Sequence, residues 1–198
     1  MVLKRIISGA QTGSERAALD SAIDWRVLSW GGWVPKGRLA DDGRIPSYYF
    51  PYEEDAQNCA SGLEETSAGR NHKAAALNAR SSDATLILRY HRGGRVLSQG
   101  TKLLLEMLMR LEKPYRILEP ATRNVSRAAR WICEARVTDE SDVKRGIEVL
   151  NVSGPCESAN PGIYKDSMKF FEQVFGLVHL FDRYGARVWA SEDEEEEY

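Results

Sequence analysis

Apolar positions along this chain fall into short runs separated by polar, glycine-bearing segments, with one long stripe near the end. Residues 3–8 read as a short buried strand with Ile6 and Ile7 at its centre. Thr12 stands where a helix N-cap belongs, and Glu15 three residues on completes a capping box. The first helix therefore starts there and ends near Trp25, with Ala17, Ala18, Ser21 and Ala22 forming a face small enough to lie close against a sheet. Residues 27–35, "VLSWGGWVP", read as a second strand broken at Gly31-Gly32. From Lys36 to about Gly69 the periodicity dissolves into Gly, Pro, Tyr and charged residues, and loops of that length in a compact domain are usually functional or partly disordered.

The pattern then sharpens. A helix leads into the clearest strand, residues 84–88, and 101–111 is a strongly apolar helix. "KPYRIL" is a strand, 125–133 a helix and "GIEVLNVSG" the last strand. The final helix carries Tyr164, Met168, Phe171, Val174, Phe175, Val178 and Phe181 at three- and four-residue steps, one apolar stripe that reads as core or subunit interface.

Strands alternating with helices imply an α/β fold, a mostly parallel sheet covered on both faces. Ligands of such sheets bind outside the carboxyl ends of the strands. Here "GAQTG" follows the first strand, "GGWVPKGR" the second, "HRGG" with "SQGT" the strand at 84–88, and "SGPCESANPG" the last. Four polar loops should therefore converge on one edge.

Each motif has a plain alternative. "GAQTG" is neither a complete G-x-G-x-x-G nor a Walker loop, and it serves equally as a tight strand–helix turn. Thr12 and Gly13 at a helix start could bind phosphate through N–H groups and the helix dipole. "SQGT" opens a helix in the same way, with Ser98 or Thr101 as a cap or as an anion contact, after a loop bearing Arg89, Arg92 and Arg95. Lys36, Arg38, Asp41 and Asp42 share a loop that is either a binding element or merely solvated. Arg16 and Asp20, one turn apart, read as a helical ion pair. His72, His91 and His179 share no metal spacing, and no nucleophile–histidine arrangement emerges. Cys59, Cys133 and Cys156 form no C-x-x-C pair, which argues against a zinc site or a disulfide framework and for a reducing, cytoplasmic setting.

Charge refines this picture. The 27 basic residues face 29 acidic ones, but six acidic residues sit at 192–197, leaving 23 in the body and a balance there of +4. Such a like-charged run repels itself. The expected organisation is one domain over residues 1–190 and an acidic disordered tail over 191–198. A mildly basic body suits a small anionic ligand and is too weakly charged for nucleic acid. No stretch is apolar enough to predict a membrane span, and "MVLKRIIS" is too quickly polar for a signal peptide.

Taken together, "IISGAQTGSERAALDSAI", "GGWVPKGRLADDGRIP", "LNARSSDATLIL", "SQGT" and "LNVSGPCESANPGIY" closely resemble the molybdenum cofactor carrier family, in the family's order and across most of residues 4–164. The resemblance implies a Rossmann-like three-layer sandwich, related to the lysine-decarboxylase-like phosphoribohydrolases. It implies a protein that binds molybdenum cofactor, a phosphorylated dithiolene pterin, as a carried ligand, with no metal held directly by side chains. Homo-oligomers, dimer or tetramer, and molybdoenzymes or cofactor-synthesis proteins as partners are implied too. Gly9, Gln11, Thr12, Gly13 and Arg16 match the first motif, and Lys36, Gly37 and Arg38 the second. Asn78, Arg80 and Asp83 match the third, Gly100 and Thr101 the fourth, and Asn151, Gly154, Glu157 and Ser158 the last. With Ser98 as the cap before Gly100, these residues apart from Gly37 and Asp83 are the expected cofactor-binding set, and no catalytic residue is expected. Ala10, Glu15, Gln99 and Cys156 depart from the family's Gly, Asp, Gly and Arg.

A carrier needs donors and little else. The alternatives are a hydrolase of nucleotide monophosphates and a nucleotide-sensing module. The hydrolases resemble G-G-x-G-T-x-x-E at their site, whereas here Glu106 falls two places late after Gly100-Thr101. On a helix two places is about 200° of rotation, which should point Glu106 away.

Overall fold

The computed structural model describes residues 2–51, 61–67, 69, 71–89, 98–138 and 144–189. The acidic run at 191–198, Cys59, His91, Arg92 and Arg95 lie outside the described residues. In chain order the elements are β1 (Arg5–Ser8), α1 (Ser14–Trp25), β2 (Ser29–Val34), β3 (Leu39–Ala40), β4 (Gly43–Arg44), β5 (Gly62–Glu65) and α2 (Asn71–Arg80). There follow β6 (Ala84–Leu88), α3 (Gln99–Arg110), β7 (Tyr115–Leu118), α4 (Val125–Glu134), β8 (Val137–Thr138), β9 (Lys144–Arg145), β10 (Val149–Ser153) and α5 (Ile163–Tyr184).

Six strands form one parallel sheet in the order β5-β2-β1-β10-β6-β7, while β3–β4 and β8–β9 are separate antiparallel pairs. Helices α1, α4 and α5 pack together on one face, and α2 and α3 pack together on the other. This is the α/β, Rossmann-like sandwich. Strand β6 shows why its sequence is apolar throughout. Leu86 and Leu88 enter the large core with α1, α4 and α5, while Ile87 between them joins Ala79, Leu104 and Leu108 on the other side. The stripe of α5 is spent inside the chain: Phe171, Val174, Phe175 and Val178 are buried in the large core, and Met168 Sδ accepts from Ser21 Oγ at 3.3 Å.

Some expectations need correction. Strand β2 is not broken by its glycines; they are there because neighbours press close. A Cβ on Gly31 would lie 2.5 Å from the Gly62 carbonyl, and one on Gly32 (φ 135°) would lie 2.9 Å from Asn78 Oδ1. The loop after β2 is correspondingly shorter than "GGWVPKGR" and starts at Pro35. The stretch from 36 to 69 holds the β3–β4 hairpin and edge strand β5, both too short to show a period; in β5 only Leu63 is buried. The N-cap of α1 is Gly13 (φ 78°), with no side-chain cap, because Thr12 is turned elsewhere. Arg16 does not pair with Asp20. It reaches the β3–β4 turn, where Nη1 donates to Asp42 Oδ2 at 2.5 Å, and Asp20 instead accepts from Tyr49 Oη and from Tyr164 Oη at 2.7 Å.

Asp83, which matched a binding motif, sits just before β6 at the amino edge of the sheet. Its carboxylate takes a two-pronged bond from Arg145 (2.5 and 2.7 Å) and the N–H groups of Glu148 and Val149, both at 2.8 Å. At the same edge Lys113 Nζ plugs the end of α2, donating to the carbonyls of Ala79 (3.1 Å), Arg80 and Ser82 (2.5 Å). Among the described residues, no helix is long and apolar enough to cross a membrane.

Candidate functional site

In a parallel sheet every loop leaving a carboxyl end lies on one side, and the four unusual loops leave β2, β1, β10 and β6, which are adjacent. The chain runs outward from β1 to β2 and β5, then crosses to β6 and β7 and returns to fill the gap at β10. The crevice between β1 and β10 is the position where such sheets hold ligands.

A cavity of ≈ 1100 Å³ opens there. Gly9 and Gln11 line it from the loop after β1; Asn151, Ser153, Gly154, Pro155 and Cys156 from β10 and its loop; Arg89, Ser98, Gly100 and Thr101 from the end of β6 and the start of α3. It continues between α2 and α3 along Ala74, Ala75, Leu103, Leu104 and Met107, reaching Arg80 and Arg110 at the helix ends. Because α2 and α3 run back against the strands, those two arginines lie toward the amino edge, away from the loops. The cavity thus has a polar mouth, an apolar middle and a basic far end.

Of the sequence-predicted residues, Gly9, Gln11, Asn78, Arg80, Ser98, Gly100, Thr101, Asn151 and Gly154 line this cavity, while Thr12, Gly13, Arg16, Lys36, Arg38, Glu157 and Ser158 are not in its wall. Several of the second group have framework partners. Thr12 Oγ1 donates to Asp41 and accepts from the Glu157 N–H at 3.0 Å. Glu157 caps α5, taking the N–H groups of Gly162 (2.5 Å) and Tyr164 (2.9 Å). Ser158 N–H donates to Asp41 Oδ2 at 3.4 Å. Desolvation is the largest single influence on Asp41 and pushes its carboxyl up, but hydrogen bonds from Ser158 and Thr12 outweigh it together and hold it down to about 2. Arg38 Nε donates to Glu65 at 2.8 Å and its guanidinium lies 4.0 Å over the Phe50 ring; Lys36 is exposed. Within the wall, Asn78 is also a staple, bonded to the N–H and the carbonyl of Trp33 at 2.7 and 3.0 Å.

The helix starts differ. At α1 the Ser14 N–H donates to the Pro155 carbonyl at 3.1 Å, and a Cβ on Gly13 would lie 2.5 Å from that oxygen, so the chain's own loop fills this place. At α3, Ser98 Oγ takes the Thr101 N–H at 3.1 Å, and the N–H groups of Gln99 and Gly100 belong to the turn that has no intrahelical acceptor. Among the described residues, a Cβ on Gly100 would meet nothing closer than Ser98 Oγ at 3.8 Å. The start of α3 therefore lines the cavity with no described residue crowding Gly100.

Two carboxyls in the wall went unread as site residues in the sequence. Glu106 lines the cavity from α3, against the expectation that helix rotation points it away. A rotation of about 200° turns Glu106 away from the mouth, but the cavity runs the length of α3 and meets it farther along. Glu15, which looked like half of a capping box, accepts from Gln11 N–H and Ser153 Oγ, both at 3.2 Å, and lines the cavity too. Burial pushes its carboxyl up to about 7, opposed by the hydrogen bonds from Gln11, Ser153 and Gly9. Only its side-chain direction, set by Ser153 on a distant strand, separates these roles.

That balance has a thermodynamic consequence. The native state holds the Glu15 proton more tightly than an unfolded chain, where the ordinary value is 4.5. Stability is therefore full below that value and falls as pH rises through about 7. The loss should be on the order of 3 kcal/mol. Urea unfolding at successive pH values should show the decline, and Glu15→Gln should flatten it.

Comparison with known proteins adds the following. The sequence matches the circularly permutated YpsA SLOG family over residues 6–175. A solved protein from Syntrophus aciditrophicus SB, described as "Putative molybdenum carrier protein", is similar with 30% identity and a TM-score of 0.66, over 87% of this chain and 95% of that one. No curated protein matches the sequence.

Proposed function

Starting from the membership of this chain in the circularly permutated YpsA SLOG family, we propose that it binds and carries molybdenum cofactor or a related phosphorylated pterin or nucleotide. The observation that carries this reading is the two-part cavity. Donors at the start of α3, with Arg89 from the end of β6 in the same wall, suit a phosphate, and the apolar middle between α2 and α3 suits a flat ring. The name of the similar Syntrophus protein points the same way. One helix start supplies about 0.3–1 kcal/mol per charge, while micromolar binding needs about 8 kcal/mol. The ligand must therefore engage both parts. Mass spectrometry of small molecules released from freshly purified protein is the direct test. A phosphorylated pterin or its oxidation product supports the reading, and the absence of any organic anion together with no uptake of added cofactor refutes it.

The site can be tested without knowing the ligand. Gly100→Asp puts a negative charge in front of the α3 donors, at a position where no described residue crowds the side chain and in a helical first turn that favours acidic residues. Sulfate binding should weaken about tenfold or more, with the thermal midpoint unchanged. Arg38→Ala should change sulfate affinity by less than about twofold, because Arg38 is engaged by Glu65 and Phe50 outside the cavity wall. Titration of sulfate into both variants, followed by calorimetry or NMR, checks the pair.

A second reading has its own observation. Glu15 and Glu106 both line the cavity, so a carboxyl is available for hydrolysis of a nucleotide monophosphate. Release of free adenine from AMP, lost in Glu106→Gln, would establish it; intact AMP after prolonged incubation would dismiss it.

A further inference from the structure

The β3–β4 hairpin brings two carboxylates to the loops that border the cavity mouth. Its strands are two residues each, a pairing too short to support itself. Ala40 is half-buried against the large core, while Leu39 and residues 41–44 are exposed. Arg38, bonded to Glu65, and Ile45, buried in the large core, fix the two roots of the hairpin. Between those roots the tip is fastened by hydrogen bonds to four residues of the body. The Leu39 carbonyl accepts from Gln11 Nε2 at 3.1 Å. Asp41 accepts from Thr12 Oγ1 and from the Ser158 N–H at 3.4 Å. Asp42 takes both prongs of the Arg16 guanidinium, at 2.5 and 3.1 Å.

The groups under these two carboxylates are all donors. Thr12 Oγ1 already accepts from the Glu157 N–H at 3.0 Å, so its one hydrogen is left for Asp41. A hydroxyl, a backbone N–H and a guanidinium fork are also the donors that hold a phosphate or sulfate oxygen. They come from the loop after β1, the loop after β10 and α1. Asp41 lines the cavity together with Gln11, whereas Asp42 lies outside its wall. An anion entering the mouth therefore meets a like charge already seated on suitable donors.

We propose that the β3–β4 tip is a self-inhibiting plug: Asp41 and Asp42 occupy donors that an anionic ligand takes over as it binds, and the tip is displaced. The inference rests on the anion-cavity reading above and concerns the regulation of that site. Opening breaks the bonds to Thr12, Ser158 and Arg16, and the ligand makes equivalent ones. Affinity is then lowered by the fraction of molecules in which the tip is shut. Release is favoured by the same contacts, because the carboxylates return to their donors as the anion leaves. A ligand held in this way is bound less tightly than the donors allow, and it exchanges without a separate effector.

Sulfate is the probe, with chloride at the same ionic strength as the reference. Calorimetry should give dissociation constants about tenfold lower in Asp41→Asn and in Asp42→Asn than in wild type. Asp42→Asn is the sharper variant, because Asp42 is outside the wall and acts through its grip on Arg16. Hydrogen exchange on wild-type protein guards against a variant that folds poorly. Saturating sulfate should speed exchange of the backbone amides of residues 39–45 about tenfold, since the freed hairpin loses its protection. Chloride should leave that exchange unchanged. Unchanged or slower exchange with sulfate bound overturns the proposal and leaves the anion cavity standing, as does equal sulfate affinity in all three proteins. Tighter binding in Asp41→Asn alone also overturns it, and makes Asp41 a fixed repelling charge in the wall. Equal acceleration in chloride overturns it in favour of simple screening of the Arg16–Asp42 pair. Failure of all three proteins to bind sulfate overturns the anion-cavity reading along with it.

Discussion

Gly13→Asp is expected to unfold in urea at a much lower concentration than wild type, with a loss of about 4 kcal/mol. At φ 78° a side chain is strained by itself, by about 1–2 kcal/mol. Its Cβ would also stand 2.5 Å from the Pro155 carbonyl and 2.8 Å from the Glu157 N–H and from Ile163 Cγ2. Two of these neighbours are backbone, so relief requires the loop after β10 to lift off α1, taking the Ser14–Pro155 bond with it. Gly13→Ala separates geometry from charge, and it should lose most of the same stability. Wild-type midpoints for both variants would mean that α1 and this loop are not packed as described. The pair matters for function as well: weakened ligand binding in Gly13→Asp is a consequence of a displaced loop, whereas in Gly100→Asp it reports charge alone.

Asp83→Ala should cost about 3–4 kcal/mol and leave sulfate affinity untouched. One carboxylate there answers the Arg145 guanidinium and two backbone N–H groups that lead into β10. Removing it takes the two-pronged partner from a half-buried guanidinium and leaves two backbone donors without this acceptor. The position is at the amino edge of the sheet, so no direct effect on the cavity mouth follows. The pH signature is opposite to that of Glu15. Against desolvation, Arg145 and the backbone donors lower the Asp83 carboxyl below its ordinary 3.8, so its contribution is present above that value and is lost in acid. Urea midpoints and sulfate titrations on the same samples decide it; a fall in affinity at wild-type stability would add Asp83 to the binding set.

What the sequence reveals, and what it hides, follows from the range of the interactions involved. The five apolar residues of β6 and the stripe of α5 declare themselves because burial on two faces or one face writes a period into neighbouring residues. The convergence of four loops follows from strand–helix alternation alone. The partners of the loop residues are not local. Thr12 looks like a cap because Glu15 is three residues away, but its hydroxyl is claimed by Asp41 and by Glu157, 29 and 145 positions along the chain. Arg16 has an acidic neighbour one turn on, yet the better geometry comes from Asp42, 26 positions away. Motif membership does not distinguish framework from wall either: Asp83 and Gly100 belong to the same resemblance, and one secures the amino edge while the other faces the cavity. The sign that would have drawn attention to Glu15 is its identity, a longer carboxyl where the family has Asp.

The place of β10 bears on how the molecule is made. It lies between β1 and β6, with Leu150 and Val152 in the large core, yet it occupies residues 149–153. During synthesis from the amino end, β5, β2 and β1 are available as one ribbon and β6 and β7 as another long before the strand that joins them. Until then β1 and β6 each present a bare pairing edge, the kind of surface that recruits other chains. The ligand site shares this timetable, since Asn151, Ser153 and Gly154 arrive with the joining strand. A nascent chain of this protein therefore has neither a closed sheet nor a cavity until residue 153 has been translated, and the helix that seals the core, α5, is still to come.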